Sequence, residues 1–424
     1  MLKLKALVSA SVIAMTALPA AAQQEVIWWD FLGGGDGVRM KALIDTFNSE
    51  QSDIKISATT LEWGLPYYTK VRTSAAVGEA PDVMTYHLSR SPLGLQEGVL
   101  SPLTDEDLAN AGLSTSDFFP TSIAAASSDG ELYAVPFDIH ALIMYYDKDL
   151  LAGSPYLDAD GNLTGMDSYE DFNGALAWLK EQGVEYPLSY GSADGGTTWR
   201  IFYSLFSQQG GEFIVDGEVL PGDNLDKAVK AVEAMAGWRE NGYTPELAEY
   251  AAALALFTAG DAAFHLNGVW EVPTLADLAA NGTLGFDWSA NEIPPLMGQE
   301  ATWSDSHAFA IANQGDKTIS GEKRAAVMKV IGWMEKHAID WATAGHIPAY
   351  LPVTTSEEYK AMEPNATYAS LADNSAFDPQ SVVTGVGSPT YDAISNLIVP
   401  AVQGLLSPQD AVEQMQQELQ SMLR

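Results

Sequence analysis

Along the first ninety residues, segments whose apolar residues are spaced as in β-strands alternate with segments whose apolar residues are spaced as in α-helices. Residues 25–29 form a short apolar run typical of a buried strand, and residues 38–50 place apolar side chains at helical spacing. The same patterns predict a strand at 54–58, a helix at 67–77 and a strand at 81–86. Strands that alternate with helices indicate a mostly parallel sheet with helices on both of its faces.

These periodicities continue to the end of the chain. Strands are predicted at 141–147 and 307–312, and helices at 167–182, 199–208, 225–241, 249–259, 269–280, 320–337, 391–405 and 408–423. A chain of 424 residues is longer than one hydrophobic core usually supports, so we expect two domains. No repeat or Pro-rich linker separates them, which indicates domains joined by several chain crossings.

The first 22 residues have the three regions of a secretory signal peptide. Lys3 and Lys5 precede an apolar run at 6–18, and a run of three alanines ends at Ala22. We predict cleavage after Ala22 and delivery to the periplasm. No later stretch approaches the roughly 20 apolar residues of a membrane span, so we expect no direct membrane insertion. The chain has no cysteine, which removes disulfides and a lipid-bearing anchor residue.

The charge balance argues against nucleic acids and anionic membrane surfaces as partners. The chain has 21 basic and 56 acidic residues, a formal net charge of −35. Binding to nucleic acid requires clustered Lys and Arg against the phosphates, and an anionic membrane surface would repel this chain equally. The acidity indicates a solvated surface that keeps an exported protein soluble.

The ends of the predicted strands locate a candidate binding edge. In open α/β sheets, ligands lie beyond the carboxyl ends of the strands. This rule selects Trp29 and Asp30 after the first strand, Glu62 and Trp63 after the second, and His87 after the third.

Several short motifs occur together in a fixed order. They are residues 26–29 with the glycine loop at 33–37, Ala80-Pro81-Asp82-Val83, residues 133–136 leading into 144–151, and residues 257–263 with Gly268-Val269-Trp270. Together they resemble family 1 of the bacterial extracellular solute-binding proteins, which includes the maltose-type sugar-binding proteins of ABC transporters. Each motif alone is weak, but their order matches that family over nearly the whole mature chain.

This resemblance implies a type II periplasmic binding protein fold. Two α/β lobes, each a mostly parallel sheet flanked by helices, would be joined by three hinge crossings, near residues 136–140, 305–307 and 348–352. The implied lobes are an N-terminal one of residues 23–137 plus 307–349 and a C-terminal one of residues 138–306 plus 350–424. The resemblance also implies that such a protein closes on its solute and delivers it to ABC permease subunits in the inner membrane. We expect a monomer that catalyses no reaction.

Sugar recognition requires flat aromatic faces and planar hydrogen-bonding groups. Tryptophans, carboxylates and histidines near the predicted strand ends and crossings meet both needs. The predicted ligand-binding residues are Trp29, Asp30, Glu62, Trp63, His87, Asp138, His140, Trp199, Trp270, Asp305, His307 and His346. We therefore predict a carbohydrate ligand, and neither a cofactor nor a bound metal.

Three alternatives stay open at this point. A receptor for a polyamine or another small cation would use carboxylates such as Asp30, Glu62, Asp138, Glu271 and Asp305. A secreted glycoside hydrolase would need a pair of catalytic carboxylates, and the sequence contains no recognisable arrangement of that kind. A zinc cluster would use the four histidines near the crossings, but their sequence spacing matches no zinc motif.

The charge and size of the sugar are not readable from the sequence. Mono-, di- and oligosaccharides and sugar acids use the same residue types. Basic residues near the inferred cleft, chiefly Arg39, Arg90 and Arg200, leave an anionic sugar open without supporting it.

Overall fold

The computed structural model describes residues 23–423, which form two β-sheets covered by helices. The predicted signal peptide of residues 1–22 lies outside the described residues. Within residues 23–423, no helix has both the length and the apolar character needed to cross a bilayer.

The first lobe is built on a five-stranded sheet. Its strands lie in the spatial order Ile54–Thr60, Gln24–Asp30, Val83–His87, His307–Ala310 and Ala134–Pro136. The first three strands are parallel, and His307–Ala310 is antiparallel to both of its neighbours. The helices of this lobe are Gly34–Glu50, Leu65–Val77, Ser91–Gln96, Asp105–Ala111, Pro120–Ala125, Gly321–Lys336 and Ala338–Ala342, and a small hairpin pairs Ser127–Ser128 with Glu131–Leu132.

The second lobe is built on a seven-stranded sheet around the long strand Asp138–Asp147. The other strands are Ser375–Phe377, Thr302–Asp305, Phe264–Gly268, Leu188–Ser189, Trp288–Asn291 and Ile347–Pro348. Its helices are Tyr169–Glu181, Gly195–Ser207, Asn224–Glu240, Tyr250–Thr258, Val272–Ala280, Glu357–Lys360, Leu371–Asn374, Pro389–Ala393, Val399–Val402 and Pro408–Met422, with a hairpin of Ile214–Val215 and Glu218–Val219. The short helix Leu351–Thr354 follows the third expected crossing, and its Val353 packs into the core of the first lobe. Single helical turns occur at Leu88–Arg90, Thr115–Asp117, Val269–Glu271, Gly315–Lys317, Asn365–Tyr368 and Ile394–Ile398.

The long strand Asp138–Asp147 divides the second lobe into two hydrophobic cores. Successive side chains of a strand point to opposite faces of the sheet. Leu142 and Met144 accordingly pack into one core with Trp199 and Trp238, whereas Ile143 and Tyr145 pack into another. Every residue of this strand is therefore buried, which explains its apolar run at residues 141–146.

The chain passes between the sheets at two of the expected positions. Phe137 separates Ala134–Pro136 of the first sheet from Asp138–Asp147 of the second, and Ser306 separates Thr302–Asp305 from His307–Ala310. Near the third expected crossing, Ile347–Pro348 pairs with the start of the long strand. The lobe boundaries at residues 137, 306 and 349 otherwise stay a prediction.

The sheets are less parallel than the alternation of elements indicated. Asp138–Asp147 is antiparallel to all four strands that it pairs with, as His307–Ala310 is in its own sheet. Both strands directly follow a crossing. Each crossing brings the chain to the edge of a sheet at which the parallel strands have their carboxyl ends. A strand that begins at this edge therefore runs antiparallel to them.

Two predicted segments differ from the observed ones. The glycine loop at 33–37 is mostly helical, because the helix already begins at Gly34. The helix predicted at 391–405 is interrupted by a π-turn at Ile394–Ile398. Pro400 has no N–H group to donate to the preceding turn, and the wider turn accommodates this missing bond.

Close packing of two helices in the first lobe yields a stability prediction. A Cβ atom placed on Gly332 would lie 1.9 Å from the carbonyl oxygen of Ala111. We expect Gly332→Ala to lower the free energy of unfolding by about 1–3 kcal/mol, because the helices would have to separate. Urea denaturation followed by tryptophan fluorescence measures this change. The control is Gly285→Ala, whose Cβ meets no atom within 4 Å. Equal midpoints for both variants would contradict the packing.

A buried histidine in the second lobe yields a pH prediction. Burial among Phe257, Tyr145 and the sheet lowers the pKa of His265 to about 3. In the unfolded chain the pKa is about 6.5, so the unfolded state binds a proton first as the pH falls. The stabilisation is therefore complete above pH 6.5 and declines below it, by up to about 1.4 kcal/mol per pH unit. Denaturant unfolding between pH 7.5 and 5 should show a shallower decline for His265→Gln, and identical slopes would contradict the assignment.

Candidate functional site

A cleft of about 460 Å³ lies where strand ends of the two sheets meet. The first lobe contributes the segment that follows its first strand, together with Trp63, His87 and His307. The second lobe contributes His140, Arg200 and Trp270. The lining residues are Phe31, Leu32, Gly33, Gly34, Gly35, Asp36, Trp63, His87, His140, Asp194, Arg200, Tyr250, Trp270, Glu271, Thr274 and His307.

Aromatic rings form opposite walls of the cleft. On the first lobe, Trp63 is 44% exposed, and Phe31 stacks on His87 with ring centroids 4.4 Å apart. On the second lobe, Trp270 donates its indole N–H to the Tyr250 hydroxyl at 2.9 Å. An exposed indole on one side and a half-buried indole on the other suit a ligand with apolar faces, because an aromatic ring packs well against flat C–H surfaces.

The carboxylate of Asp138 is fully buried beside the cleft and is surrounded by donors. Its Oδ1 accepts the backbone N–H of His307 at 2.9 Å and lies 3.0 Å from His140 Nδ1. Its Oδ2 lies 2.8 Å from His307 Nδ1 and accepts the Trp341 indole N–H at 2.8 Å. Burial alone would raise the pKa of Asp138, but His307, His346 and these hydrogen bonds hold it well below its usual range. Asp138 is therefore ionised.

Two of the imidazoles that line the cleft, those of His87 and His140, are neutral. Burial, followed by the charge of neighbouring His307, lowers the pKa of His140 to about 3. The same two causes lower the pKa of His87 well below its ordinary value. Since a carboxylate only accepts, the hydrogen bond to Asp138 places the proton of His140 on Nδ1. This leaves its Nε2 atom as an acceptor, which suits the hydroxyl groups of a ligand.

Five of the twelve predicted residues line the cleft: Trp63, His87, His140, Trp270 and His307. Four others are fully buried outside its lining: Asp138, Trp199, Asp305 and His346. The indole N–H of Trp199 donates to Asp378 at 2.7 Å, and its ring stacks on Tyr203, so Trp199 is a packing residue. Asp305 accepts the backbone N–H of Ser89 at 2.9 Å, so it supports the loop that carries the end of the third strand.

Three predicted residues lie away from the cleft. Trp29 packs against the first core, Asp30 accepts the backbone N–H of Leu32 at 3.0 Å, and Glu62 is exposed. The strand-end rule selected Trp29 and Asp30 too early, because the strand extends to Asp30 and the segment 31–36 beyond it reaches the cleft.

The sequence analysis did not name four polar residues of the lining, namely Asp36, Asp194, Tyr250 and Thr274, and it named Glu271 only for a polyamine receptor. Asp194 caps the helix Gly195–Ser207 by accepting the backbone N–H of Thr197 at 2.6 Å. Glu271 accepts the Tyr250 hydroxyl, and Thr274 lies one turn further along the chain. An Asp before two glycines is a recognisable helix-capping signal, but it does not reveal that the cap faces a cleft.

Two overlapping groups of residues have the chemistry of a metal site, and the smaller one is His87, His140 and Asp305. The donor atoms of Asp138, His140, His307 and His346 all lie within 4.8 Å of one another. Imidazole nitrogen and carboxylate oxygen are ligands that Zn²⁺ accepts. The same atoms also form a connected hydrogen-bond network, since both Asp138 oxygens already accept bonds. Histidines that are far apart in the sequence are thus brought together by the crossings.

Comparison with known proteins identifies the family. Residues 42–367 match the family model for bacterial extracellular solute-binding proteins. The match covers more than half of the chain, so this chain belongs to the bacterial extracellular solute-binding proteins.

Curated relatives and solved structures agree with this assignment. The chain is 24% identical over 230 residues to the maltotriose-binding protein of Pyrococcus abyssi, covering 54% of this chain and 45% of that protein. It is 27% identical over 231 residues to the maltodextrin-binding protein MdxE of Bacillus subtilis, covering 53% and 50%. The chain thus spans about half the length of the curated relatives it matches. The structure of maltose-bound T. maritima MalE3 superposes with a TM-score of 0.77 at 19% identity, over 94% of this chain and 99% of that one. The expected two-lobed type II fold is confirmed.

The buried carboxylate yields a further prediction. We expect Asp138→Asn to lower the free energy of unfolding by about 3 kcal/mol, because one of two acceptor oxygens becomes a donor that faces other donors. Chemical denaturation measures this loss. The control is Asp160→Asn, since Asp160 is exposed and its side chain makes no hydrogen bond within residues 23–423. Midpoints that match between the two variants would show that the network contributes nothing.

Proposed function

We propose that this protein is the periplasmic substrate-binding component of an ABC importer for a carbohydrate. It binds the sugar between its lobes and passes it, chemically unchanged, to ABC permease subunits in the inner membrane. Membership of the extracellular solute-binding family supports the receptor class. The names of the maltotriose- and maltodextrin-binding relatives support a saccharide ligand.

The single observation that carries the carbohydrate assignment is the composition of the cleft. Indoles from both lobes, the exposed one of Trp63 and the half-buried one of Trp270, line the cleft beside the neutral imidazoles of His87 and His140. Sugar rings present C–H faces and hydroxyl edges, and these two kinds of group match them. The volume of about 460 Å³ is within the ~300–1,000 Å³ of small-molecule sites, which suits a short saccharide.

We infer that the lobes close on the ligand, because the residues that line the cleft are divided between the two lobes. Trp63 belongs to the first lobe and Trp270 to the second, so only a closed cleft can hold a sugar ring between both. A ligand stabilises the conformation that it contacts most extensively. Phe137 and Ser306, which separate strands of different sheets, are the positions where hinge rotation would occur.

The geometry favours a sugar over a polyamine. Of the five carboxylates that a polyamine receptor could have used, only Glu271 lines the cleft. Asp138 and Asp305 are committed to protein donors, whereas Asp30 and Glu62 lie outside. Asp36 and Asp194 also line the cleft, but Asp194 and Glu271 already accept protein hydrogen bonds, and Arg200 in the same lining would repel a cationic ligand.

The remaining parts of the proposal come from the sequence. Residues 1–22 act as a signal peptide that is removed after Ala22, the mature chain works in the periplasm, and it acts as a monomer without a cofactor. A glycoside hydrolase would instead convert the bound sugar, so recovery of the ligand after binding distinguishes these functions.

The contribution of Trp270 to the affinity for a saccharide tests the proposed function. Isothermal titration of residues 23–424 against mono-, di- and maltooligosaccharides should identify a ligand. We expect Trp270→Ala to weaken its binding about tenfold or more, because the variant lacks the aromatic wall of the second lobe. The control is Trp178→Ala, which removes a half-buried indole that does not line the cleft.

Other ligands decide between the alternatives. A polyamine that raises the melting temperature while no saccharide does would overturn the carbohydrate assignment, because a ligand of the folded state must stabilise it. Equal losses of affinity in Trp270→Ala and Trp178→Ala would place the ligand elsewhere.

A further inference from the structure

Arg200 is a cation held inside the cleft by tryptophan rings. It lies on the helix Gly195–Ser207, lines the cleft and is only 8% exposed. Its guanidinium carbon is 4.7 Å from the ring centroid of Trp270, 4.8 Å from that of Trp303 and 5.9 Å from that of Trp63. Guanidinium groups bind favourably to indole faces at such distances.

The side chain of Arg200 has no acceptor in the described part of the chain. It makes no hydrogen bond or ion pair with residues 23–423, and its Nε atom is buried without a partner. Burying a charged donor without an acceptor is unfavourable, and tryptophan faces compensate only in part. An unpaired guanidinium directed to a ligand cleft indicates that the ligand supplies the acceptor.

The other charged residues of the cleft differ from Arg200 because each has a protein partner. Asp36 lies 3.1 Å from His346 Nε2. Asp194 accepts the Thr197 backbone N–H and hydroxyl, at 2.6 and 2.8 Å. Glu271 accepts the Tyr250 hydroxyl. Within this lining, Arg200 is the charged side chain that has neither a hydrogen bond nor an ion pair with residues 23–423.

A nearby buried acid does not neutralise Arg200 either. Asp378 uses Oδ1 to accept the indole N–H groups of Trp199 and Trp303, at 2.7 and 2.9 Å. Burial, followed by the charge of Asp305, raises the pKa of Asp378 to about 8. Asp378 therefore holds a proton more readily than an ordinary carboxyl group, which weakens it as a counter-charge for Arg200.

We propose that Arg200 binds the carboxylate of a sugar acid, so that the cleft selects anionic sugars such as uronic acids over neutral ones. This inference rests on the proposed carbohydrate-receptor function and specifies its substrate class. The planar guanidinium can donate two parallel hydrogen bonds to a carboxylate.

A single negative charge fits the cleft better than a doubly charged phosphate. Arg200 is the sole basic Lys or Arg side chain in this lining, and Asp36, Asp194 and Glu271 line the same space. A sugar phosphate would bring a second charge that Arg200 cannot balance and that these carboxylates would repel. The carboxylate is therefore the ligand group that the cleft accommodates.

Paired titrations test this inference. Residues 23–424 are titrated with glucuronate, galacturonate and digalacturonate, with the neutral sugars glucose, galactose and maltose, and with glucose 6-phosphate. We expect at least one sugar acid to bind about 10- to 100-fold more tightly than its neutral counterpart, as a charge-assisted bidentate bond provides. Raising the salt concentration should reduce this preference.

Substitution of Arg200 should reduce the ratio of acid to neutral affinity. Arg200→Gln should reduce it about 10- to 100-fold, and Arg200→Lys by less, because the charge stays while the planar fork is lost. The control is Arg39→Gln, which removes a charge that is paired with Asp277 and does not line the cleft. Melting temperatures check folding, and if Arg200→Gln is unfolded, the Lys variant decides.

The possible outcomes distinguish a failure of this inference from a failure of the proposed function. Tighter binding of neutral sugars than of acids, or an unchanged ratio in the Arg200 variants, overturns the inference while the receptor function stands. Tighter binding of glucose 6-phosphate than of every acid overturns the choice of a carboxylate. If no saccharide of either kind binds and a polyamine does, both proposals fail.

Discussion

The buried carboxylate of Asp138 is the interaction on which the arrangement of the two lobes depends. Asp138 is the first residue of the strand after one crossing, and His307 is the first residue of the strand after another. Trp341, which donates to the same carboxylate, precedes the segment Ile347–Pro348 that pairs with the start of the long strand. One ionised side chain thus ties together the segments where the lobes meet.

This arrangement connects the hinge to the ligand site. His140 and His307 bond to Asp138 and also line the cleft, so a ligand that contacts either imidazole contacts the hinge network. A buried carboxylate is costly unless donors surround it, and here the donors come from separate chain segments. A change in the relative position of the lobes would disturb that shell. The network therefore limits the number of stable lobe arrangements, as the proposed closure around a ligand requires.

The sequence predicted the fold better than the site. Strands such as Gln24–Asp30 and helices such as Asn224–Glu240 were predicted to within a few residues. Burial of one face of a strand or helix requires apolar residues at a regular spacing, and that spacing is visible in the sequence. This spacing does not show which side chain of a fully buried helix points into a cleft. Trp199 was expected in the cleft, but every residue of its helix is buried, and its indole faces the core while Arg200, one position later, lines the cleft. The network around Asp138 could not be predicted from spacing, since its members are brought together by the crossings.

We propose that a sugar is trapped between closing lobes without being changed. Small-angle X-ray scattering of residues 23–424, with and without a saturating saccharide, measures closure directly, and mass spectrometry of the recovered sugar shows whether it was altered. We predict a smaller radius of gyration in the bound state and an intact sugar. An unchanged radius at saturation, or a hydrolysed sugar, would contradict the account.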